Sequence, residues 1–286
     1  MPSAASAWSR ADTARFVRVP GHDDDKYSRG VVGLRTGSTA YPGAAVLGVE
    51  AAWRTGAGFV RYIGPGRAAD AVLARRPETV VSATVGGARV GAWVIGSGTD
   101  AAHRGPEDAA EVRDVLTGDA PVIVDAGALD LAADEALSEN GVRAPLLLTP
   151  HRREFDRLRR HLGLAALDDR EQAAIRMAEA VDAVVLLKGA RAIIAAPDGA
   201  VIAVEAGTPW LSTAGTGDVL GGVLGAIVAA NPDARLIEAA AAGAWLHGAA
   251  ARHAAGLDEG DGAPGRPIVA LDVAESLPHV VAGLLR

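Results

Sequence analysis

The chain has 286 residues, of which 49% are hydrophobic and 22% charged, and its formal net charge is −7. This length supports one large or two small domains with a full hydrophobic core, and the balance of residue types is ordinary for a globular protein. The absence of cysteine excludes disulfides, thiolate metal sites and a cysteine nucleophile. The acidic balance, without a long basic run, argues against a nucleic-acid partner.

Neither a signal peptide nor a membrane span is expected. The first twenty residues include Arg10, Asp12, Arg15 and Arg18 but no apolar segment of the kind that a signal peptide needs. The longest run of apolar residues and glycine, 219–230, is well short of the ~20 residues that cross a bilayer. We therefore expect a cytoplasmic protein without a membrane partner.

Short apolar runs alternate with helical segments along the chain, which is the pattern of a parallel α/β sheet. The predicted strands are 31–34, 59–63, 93–95, 122–124, 146–148 and 184–187, then a hairpin of 192–195 and 201–204. The predicted helices are 43–54, 107–116, 170–181, one that begins near Asp218, 236–254 and 273–285, with a loop at 260–267. No repeat or linker interrupts this pattern, so we expect one domain over residues 1–286, with 1–25 as a loosely attached extension.

Polar or glycine-rich positions follow the predicted strands or begin the predicted helices. They are Gly37, Gly96 to Gly98, Asp125, Thr149 to His151, Lys188 and Asp218. The carboxyl ends of the strands in an open α/β sheet form its ligand crevice, so these positions predict one large cleft. Thr149 is also predicted to cap a helix that has Pro150 in its first turn.

The segment 211–224, Leu-Ser-Thr-Ala-Gly-Thr-Gly-Asp-Val-Leu-Gly-Gly-Val-Leu, is the most informative stretch. A flexible turn that enters a helix offers backbone N–H groups to an anion, and glycines let a phosphate approach closely. Asp218 is then either a first-turn acid that the helix dipole favours or a base beside a bound phosphate. Neither the dinucleotide fingerprint nor the P-loop signature is present, since position 220 is leucine and Lys188-Gly189 runs in the reverse order.

In order and spacing, these motifs resemble the ADP-dependent NAD(P)H-hydrate dehydratase family of the ribokinase-like superfamily. The likeness extends from about Lys26 to the C-terminus. It rests on Gly37-Ser38, Pro42 to Ala45, Arg54 to Gly58, Ile95 to Gly98, Asp125 to Leu129, Thr149 to His151 with Glu154, Lys188 to Ala190, Gly215 to Asp218, His247 to Ala250, and Asp272.

The resemblance implies a ribokinase-like three-layer α/β sandwich, in which helices flank a mainly parallel central sheet. It also implies a metabolite-repair lyase that dehydrates the S epimer of hydrated NADH or NADPH (NADHX or NADPHX). ADP is the implied co-substrate and becomes AMP and phosphate, with Mg²⁺ as cofactor. Phosphorylation turns a hydroxyl, which is a poor leaving group, into a phosphate, which is a good one.

The resemblance assigns three groups of residues. Asp218 is the base that takes the proton of the substrate hydroxyl, and the N–H groups of Gly215, Thr216 and Gly217 stabilise the transferred phosphoryl group. The nucleotide segment comprises Lys188, Gly189, Ala190, Arg191 and Ala192, together with Gly217. The contacts to the damaged dinucleotide are Ala45 (or Ala44), Gly98, His151 and Asp218.

Three further residues have open roles. Asp125 either helps to hold Mg²⁺ through water or caps the following helix, and Glu154 has the same alternatives or lies on a solvated helix face. His247 is interpreted as a core or helix-packing residue rather than a ligand contact. No residue is assigned as a direct metal ligand.

Some features depart from the family or leave alternatives. Gly96-Ser97-Gly98 stands where the family has Gly-Pro-Gly, and the loop 37–41 is a variable version of the first glycine loop.

We expect epimerisation of the substrate to need a separate epimerase, and we expect a homo-oligomer. The main alternative function is an ATP-dependent kinase of a vitamin-type alcohol in the same superfamily. A non-catalytic dinucleotide-binding protein is a third possibility, against which Asp218 argues.

Overall fold

The computed structural model describes residues 5–64, 66–138, 141–257 and 264–286. The strands in this part of the chain are β1 (Ser6–Ala7), β2 (Val31–Arg35), β3 (Phe59–Ile63), β4 (Val80–Ser82), β5 (Ala92–Ile95), β6 (Val122–Val124), β7 (Leu146–Leu148), β8 (Val184–Leu187), β9 (Ala192–Ala195) and β10 (Val201–Val204). The α-helices are α1 (Arg10–Ala14), α2 (Pro42–Thr55), α3 (Arg67–Arg75), α4 (Pro106–Leu116), α5 (Leu129–Ala136), α6 (Arg152–His161), α7 (Arg170–Val181), α8 (Thr216–Ala230), α9 (Leu236–Ala254) and α10 (Ala270–Leu284). None of the described helices is both long and apolar enough to cross a membrane.

The ten strands form one sheet in the order β1-β10-β9-β8-β7-β6-β5-β2-β3-β4. Among them, β9 runs antiparallel to both of its neighbours, whereas the other pairs are parallel. Parallel neighbours need crossover connections, and helices supply them here. The prediction of a mainly parallel sheet flanked by helices is confirmed.

Each central strand is apolar on both faces, because helices cover the sheet on both sides. Val94, Ile123 and Leu147 belong to the core that includes residues of α2, α8, α9 and α10. Their chain neighbours belong to a second core on the opposite face, formed with α4 to α7. The strand period of two residues thus divides the interior into two layers of packing, one on each side of the sheet.

Helix α8 lies very close to its surroundings because glycines form part of its surface. A Cβ on Gly222 would meet the backbone of Gly48 in α2, and one on Gly225 would lie 2.6 Å from Cγ2 of Val94 in β5. Any side chain at these positions would push α8 away from the sheet. The glycines therefore fix the position of the Asp218-bearing end of α8.

Most of the predicted elements are confirmed, with boundaries that agree to within three residues. The sequence did not indicate the strands β1 and β4 or the helices α1, α3 and α5, which have two to nine residues each. Thr149 does not cap α6, because His151 does so instead. The predicted loop 260–267 lies partly outside the described residues.

The N-terminal segment is packed rather than loosely attached over residues 6–16. Strand β1 pairs with β10, the ring of Phe16 is 6% exposed within the core, and Asn231 donates to the carbonyl oxygen of Phe16 at 3.1 Å. Helix α9 likewise packs inside the domain, with buried residues along its whole length.

Candidate active site

A buried ion pair lies at the carboxyl edge of the sheet. Asp125 follows β6 and is 4% exposed, and Nζ of Lys188, which follows β8, lies 2.7 Å from its Oδ1. The hydroxyl of Thr149 also donates to Oδ1 at 3.0 Å, and that of Ser97 donates to Oδ2 at 3.2 Å. Both oxygens of the carboxylate are therefore engaged, as burial of a charge requires. This network holds the Lys188 ammonium in place.

The N-terminus of α8 lies next to this ion pair. Gly215 precedes the helix with φ +89°, and it gives no side-chain cap to the first-turn N–H groups. A Cβ on Gly215 would lie 2.6 Å from Leu47 Cδ1, whereas one on Gly217 would lie 3.6 Å from Lys188 Nζ and 3.8 Å from Asp125 Oδ2. The free N–H groups and the ammonium together form a site for an anion.

Asp218 is the third residue of α8, and its surroundings disfavour its charged form. Burial, the largest cause, and the negative charge of Asp125 together raise the pKa of Asp218 from its usual value near 3.8 to about 6, although the positive charge of Lys188 opposes the rise. A carboxyl group with this pKa is a stronger base than an exposed aspartate, and it is still largely ionised at neutral pH. The site thus contains a carboxylate suited to proton abstraction.

A cavity of about 490 Å³ opens beside the anion site. Its walls include most of the residues predicted to bind the nucleotide, namely Lys188, Gly189, Ala190, Ala192 and Gly217. Arg191 is not among the lining residues. Its guanidinium instead pairs with Glu171 and Glu205, at 2.8 and 2.9 Å.

Two of the residues predicted to act in catalysis lie beside this cavity rather than in its wall. Gly215 and Asp218 are absent from the lining, whereas Thr216 and Gly217 belong to it. Oδ2 of Asp218 is 3.9 Å from the Cβ position of Gly215, which itself faces α2. The carboxylate therefore lies on the α2 side of the anion site.

The glycine loop after β2 lies against the loop after β5. The N–H of Gly37 donates to the carbonyl oxygen of Ser97 at 2.7 Å, and a Cβ on Gly98 would lie 3.0 Å from Gly37 Cα and closer still to Ala44 Cβ. Gly98 is half-buried. Ala45 is fully buried and packs against Gly37. Its side chain therefore supports the glycine loop and is not accessible to a ligand.

His151 is brought together with the nucleotide residues rather than with Gly98 and Ala45. Its imidazole lines the cavity and is half exposed, with 51% of the side chain accessible. Nδ1 accepts from the N–H groups of Arg153 and Glu154 at 3.1 and 3.3 Å, and Glu154 Oε2 accepts from the N–H of His151 at 2.8 Å. Nε2 lies 3.3 Å from Oε1 of Glu154, so Glu154 contacts both the backbone and the ring of His151 in this reciprocal cap of α6.

Asp125 and Glu154 differ in their capping contacts. Asp125 makes no side-chain capping bond to the following 3₁₀ turn, whereas Glu154 completes the cap of α6. Within the described ranges, no three His, Cys, Asp or Glu side chains are grouped as metal ligands. Asp125 and Asp218 nevertheless offer carboxylate oxygens next to an anion site. This donor set fits Mg²⁺, which takes one or two carboxylates and completes its coordination with phosphate and water.

Sequence reasoning missed three contributors to the site. Ser97 and Thr149 hold Asp125, but their pairing depends on which strands are neighbours in the sheet. His247 was interpreted as a core residue, and it is indeed only 8% exposed, yet it also lines the cavity. The signal in the sequence was a polar residue, His247, within an alanine-rich helix.

The profile of the NAD(P)H-hydrate dehydratase family matches residues 32–260. The bifunctional NAD(P)H-hydrate repair enzyme Nnr of Mycobacterium tuberculosis is 45% identical over 221 residues, which cover 77% of this chain and 45% of that protein. The ADP-dependent (S)-NAD(P)H-hydrate dehydratase of Neisseria meningitidis is 35% identical, with 83% of this chain and 82% of that protein covered. This chain spans about half the length of the bifunctional relatives.

Among solved structures, the ADP/ATP-dependent NAD(P)H-hydrate dehydratase of Bacillus subtilis, co-crystallised with ATP and Mg²⁺, has the same fold. The TM-score is 0.83 at 26% identity, over 98% of this chain and 99% of that chain. The match thus extends over almost the whole sheet and both helical layers. The chain belongs to the NAD(P)H-hydrate dehydratase family.

Proposed function

We propose that this protein dehydrates the S epimer of NADHX or NADPHX to NADH or NADPH, with conversion of ADP to AMP and phosphate. The observation that carries the proposal is the position of Asp218. Its carboxylate has a raised pKa and lies at a helix N-terminus, beside the Lys188–Asp125 ion pair and next to the Thr216–Gly217 wall of the cavity. A base is needed at this place for phosphoryl transfer to a hydroxyl, whereas a protein that only binds dinucleotides needs none.

The substrates are assigned to the two sides of Asp218. ADP occupies the cavity lined by Lys188, Gly189 and Gly217, so that its terminal phosphate lies at the N-terminus of α8. The hydrated nicotinamide lies against the backbone of the Gly37 and Gly98 loops, which close packing on Ala44 and Ala45 of α2 holds in place. This arrangement supports direct transfer, because the two reacting groups meet at Asp218.

The reaction then has two balanced steps. Asp218 takes the proton of the C6 hydroxyl, whose oxygen attacks the terminal phosphorus of ADP, and the bond from that phosphorus to the bridging oxygen breaks to release AMP. The ring-nitrogen lone pair next expels phosphate from C6, and loss of a proton from C5 restores the double bond. The N–H groups of α8 and Lys188 stabilise the charge on the transferred group.

The nucleotide's Mg²⁺ would be held by Asp125 through water and by the ADP phosphates, which leaves the Asp218 carboxylate to accept the proton. When bound, it neutralises negative charge on those phosphates and so favours nucleophilic attack. The positive charge of Lys188 balances the negative charge of Asp125, which maintains the geometry of the carboxyl edge of the sheet. Because the dehydration is proposed for the S epimer alone, an epimerase is the expected functional partner.

Absorbance of the reduced nicotinamide, measured on NADHX of mixed epimers with Mg²⁺, tests the proposal. We expect an increase with ADP, accompanied by an equal amount of free phosphate, that stops when one epimer is consumed. Asp218→Asn should bind ADP nearly as wild type and lose at least ~10²-fold in turnover. No increase with ADP or ATP would refute the dehydratase, and phosphorylation of a vitamin-type alcohol by ATP would instead identify a kinase.

A further inference from the structure

Glu154 is a largely buried acid that contacts two residues of the cavity wall. It lies in the first turn of α6, and 12% of its side chain is accessible. Its Oε1 is 3.3 Å from Nε2 of His151, and its Oε2 is 3.9 Å from Nζ of Lys188. His151 and Lys188 line the cavity, whereas Glu154 is absent from the lining. The contacts of the carboxylate therefore reach a ligand only through these two residues.

The imidazole of His151 is held in one tautomer by contacts at both of its nitrogens. Nδ1 accepts hydrogen bonds from the N–H groups of Arg153 and Glu154, at 3.1 and 3.3 Å, so Nδ1 is unprotonated. The proton of the neutral ring is then on Nε2, next to Oε1 of Glu154. Oε2 of the same carboxylate accepts from the backbone N–H of His151 at 2.8 Å. Glu154 thus holds both the backbone of His151 and the protonated side of its ring.

Lys188 depends on Glu154 much less than His151 does. Its ammonium lies 2.7 Å from Oδ1 of Asp125, compared with 3.9 Å from Oε2 of Glu154. The closer carboxylate is itself anchored by two hydroxyl groups, so it keeps Lys188 in place without Glu154. In addition, a negative charge near an anion site opposes the binding of phosphate. Loss of the Glu154 charge should therefore not reduce the affinity for ADP.

We propose that Glu154 is a positioning residue for the hydrated dinucleotide, which holds the imidazole of His151 in one tautomer and one orientation at the cavity wall. This rests on the proposed function, since it takes His151 to be a dinucleotide contact. About half of the His151 side chain is exposed, so without Glu154 only the two N–H groups at Nδ1 would hold the ring. A side chain that must be ordered on binding lowers the affinity for a ligand about 3- to 10-fold. Glu154 orders the ring before the substrate arrives.

Steady-state kinetics of Glu154→Gln with NADHX, ADP and Mg²⁺ tests this. Glutamine has the same length and keeps one oxygen for the backbone N–H of His151, but its NH₂ group then faces the N–H of the ring. We expect KM for NADHX to increase about 3- to 10-fold, with kcat nearly unchanged and no increase in KM for ADP. The matched control is Asp156→Asn in α6, whose carboxylate has no hydrogen bond or ion pair within the described part of the chain, and it should change neither KM. An unchanged KM for NADHX, or equal increases for both substrates, would overturn the proposal.

The ¹⁵N NMR spectrum of the histidine rings supplies a measurement that does not depend on turnover, with His151→Ala used to assign the signals. In wild type we expect the tautomer with the proton on Nε2, and in Glu154→Gln a mixture of tautomers, because two donors then face each other. A proton on Nδ1 in wild type, or a variant ring identical to that of wild type, would overturn the proposal. A wild type that leaves NADHX unchanged would refute the proposed function instead, and the spectra would still decide how Glu154 holds the ring.

Discussion

The Asp218 carboxylate combines two properties that oppose each other in a stable protein. Its raised pKa, due to burial and to the charge of Asp125, suits a base but makes the ionised form costly in the folded state. At the start of α8, the helix dipole and the charge of Lys188 offset part of the free-energy cost of the buried carboxylate. Such a residue is expected where function requires it, because packing alone does not.

Asp218→Asn should therefore stabilise the protein, and only above a certain pH. The folded-state pKa of about 6 exceeds the usual value of 3.8, so ionisation of Asp218 removes stability as the pH rises from about 4 to 6. Relative to wild type, the variant should gain about 1–3 kcal/mol in free energy of unfolding at pH 8 and almost nothing at pH 4. Urea denaturation at both values measures this, with Asp23→Asn, a fully exposed carboxylate, as the control. A difference that does not depend on pH would contradict the argument.

Sequence reasoning at the residue scale was most successful where a motif fixes the local backbone. Lys188, Gly217 and Asp218 were predicted to meet, and the structure places all three at the same edge. The hydroxyls of Ser97 and Thr149 were not assigned to Asp125, because the contact joins residues of three adjacent strands. Strand order is a property of the folded sheet and cannot be obtained from local patterns.

Among the elements, the two glycine loops depend on the absence of side chains. Gly98 has φ +68°, and a Cβ there would come within 3.0 Å of Gly37 and nearer to Ala44. Gly98→Ala should therefore cost about 2–4 kcal/mol through backbone strain and overpacking. Gly43→Ala, in the first turn of α2 with open space at Cβ, should be neutral or slightly stabilising. Thermal and urea unfolding of the two variants measures both changes in stability. Equal changes would exclude a special role for the Gly98 backbone.

The N-terminal segment is a second element that a substitution can test. If residues 6–16 are part of the core, Phe16→Ala should lower the free energy of unfolding by about 3–5 kcal/mol, since the ring is 6% exposed. Val19→Ala, at a side chain that is 60% exposed, should stay within about 0.5 kcal/mol of wild type. Urea denaturation measures both. A Phe16→Ala protein as stable as wild type would show that the segment is attached only loosely.

The two strands that were missed share a physical cause. Strand β1 has two residues, β4 has three, and both lie at the ends of the sheet order. An edge strand of this length has too few residues for an alternating pattern, so its neighbours decide its conformation. The long apolar runs of β8 and α8, by contrast, are buried on all sides and were predicted from composition alone.

At the scale of the whole molecule, the sheet separates two cores, and the proposed ligands bind along its carboxyl edge. The ion pair, the N-terminus of α8 and the cavity are built from strands and helices of both halves of the chain. A bound nucleotide therefore contacts both halves. Ligand binding to the folded state alone must then stabilise the entire fold. Because the unfolded chain cannot form this binding site, nucleotide affinity can be measured as an increase in the stability of the whole fold.

ADP with Mg²⁺, at about 100 times its Kd, should thus stabilise the fold by about 2.7 kcal/mol and raise Tm by roughly 5–10 °C. Lys188→Met should reduce that shift to less than half, because a charge-assisted contact to phosphate contributes about 1.5–3 kcal/mol. Its ligand-free Tm should also fall, since Asp125 loses its cation, so each shift is taken from the variant's own baseline. Lys26→Met removes the other lysine of the chain, which lies over the ring of Tyr27, and should leave the shift unchanged. An ADP shift of the same size in all three proteins would place the nucleotide away from Lys188.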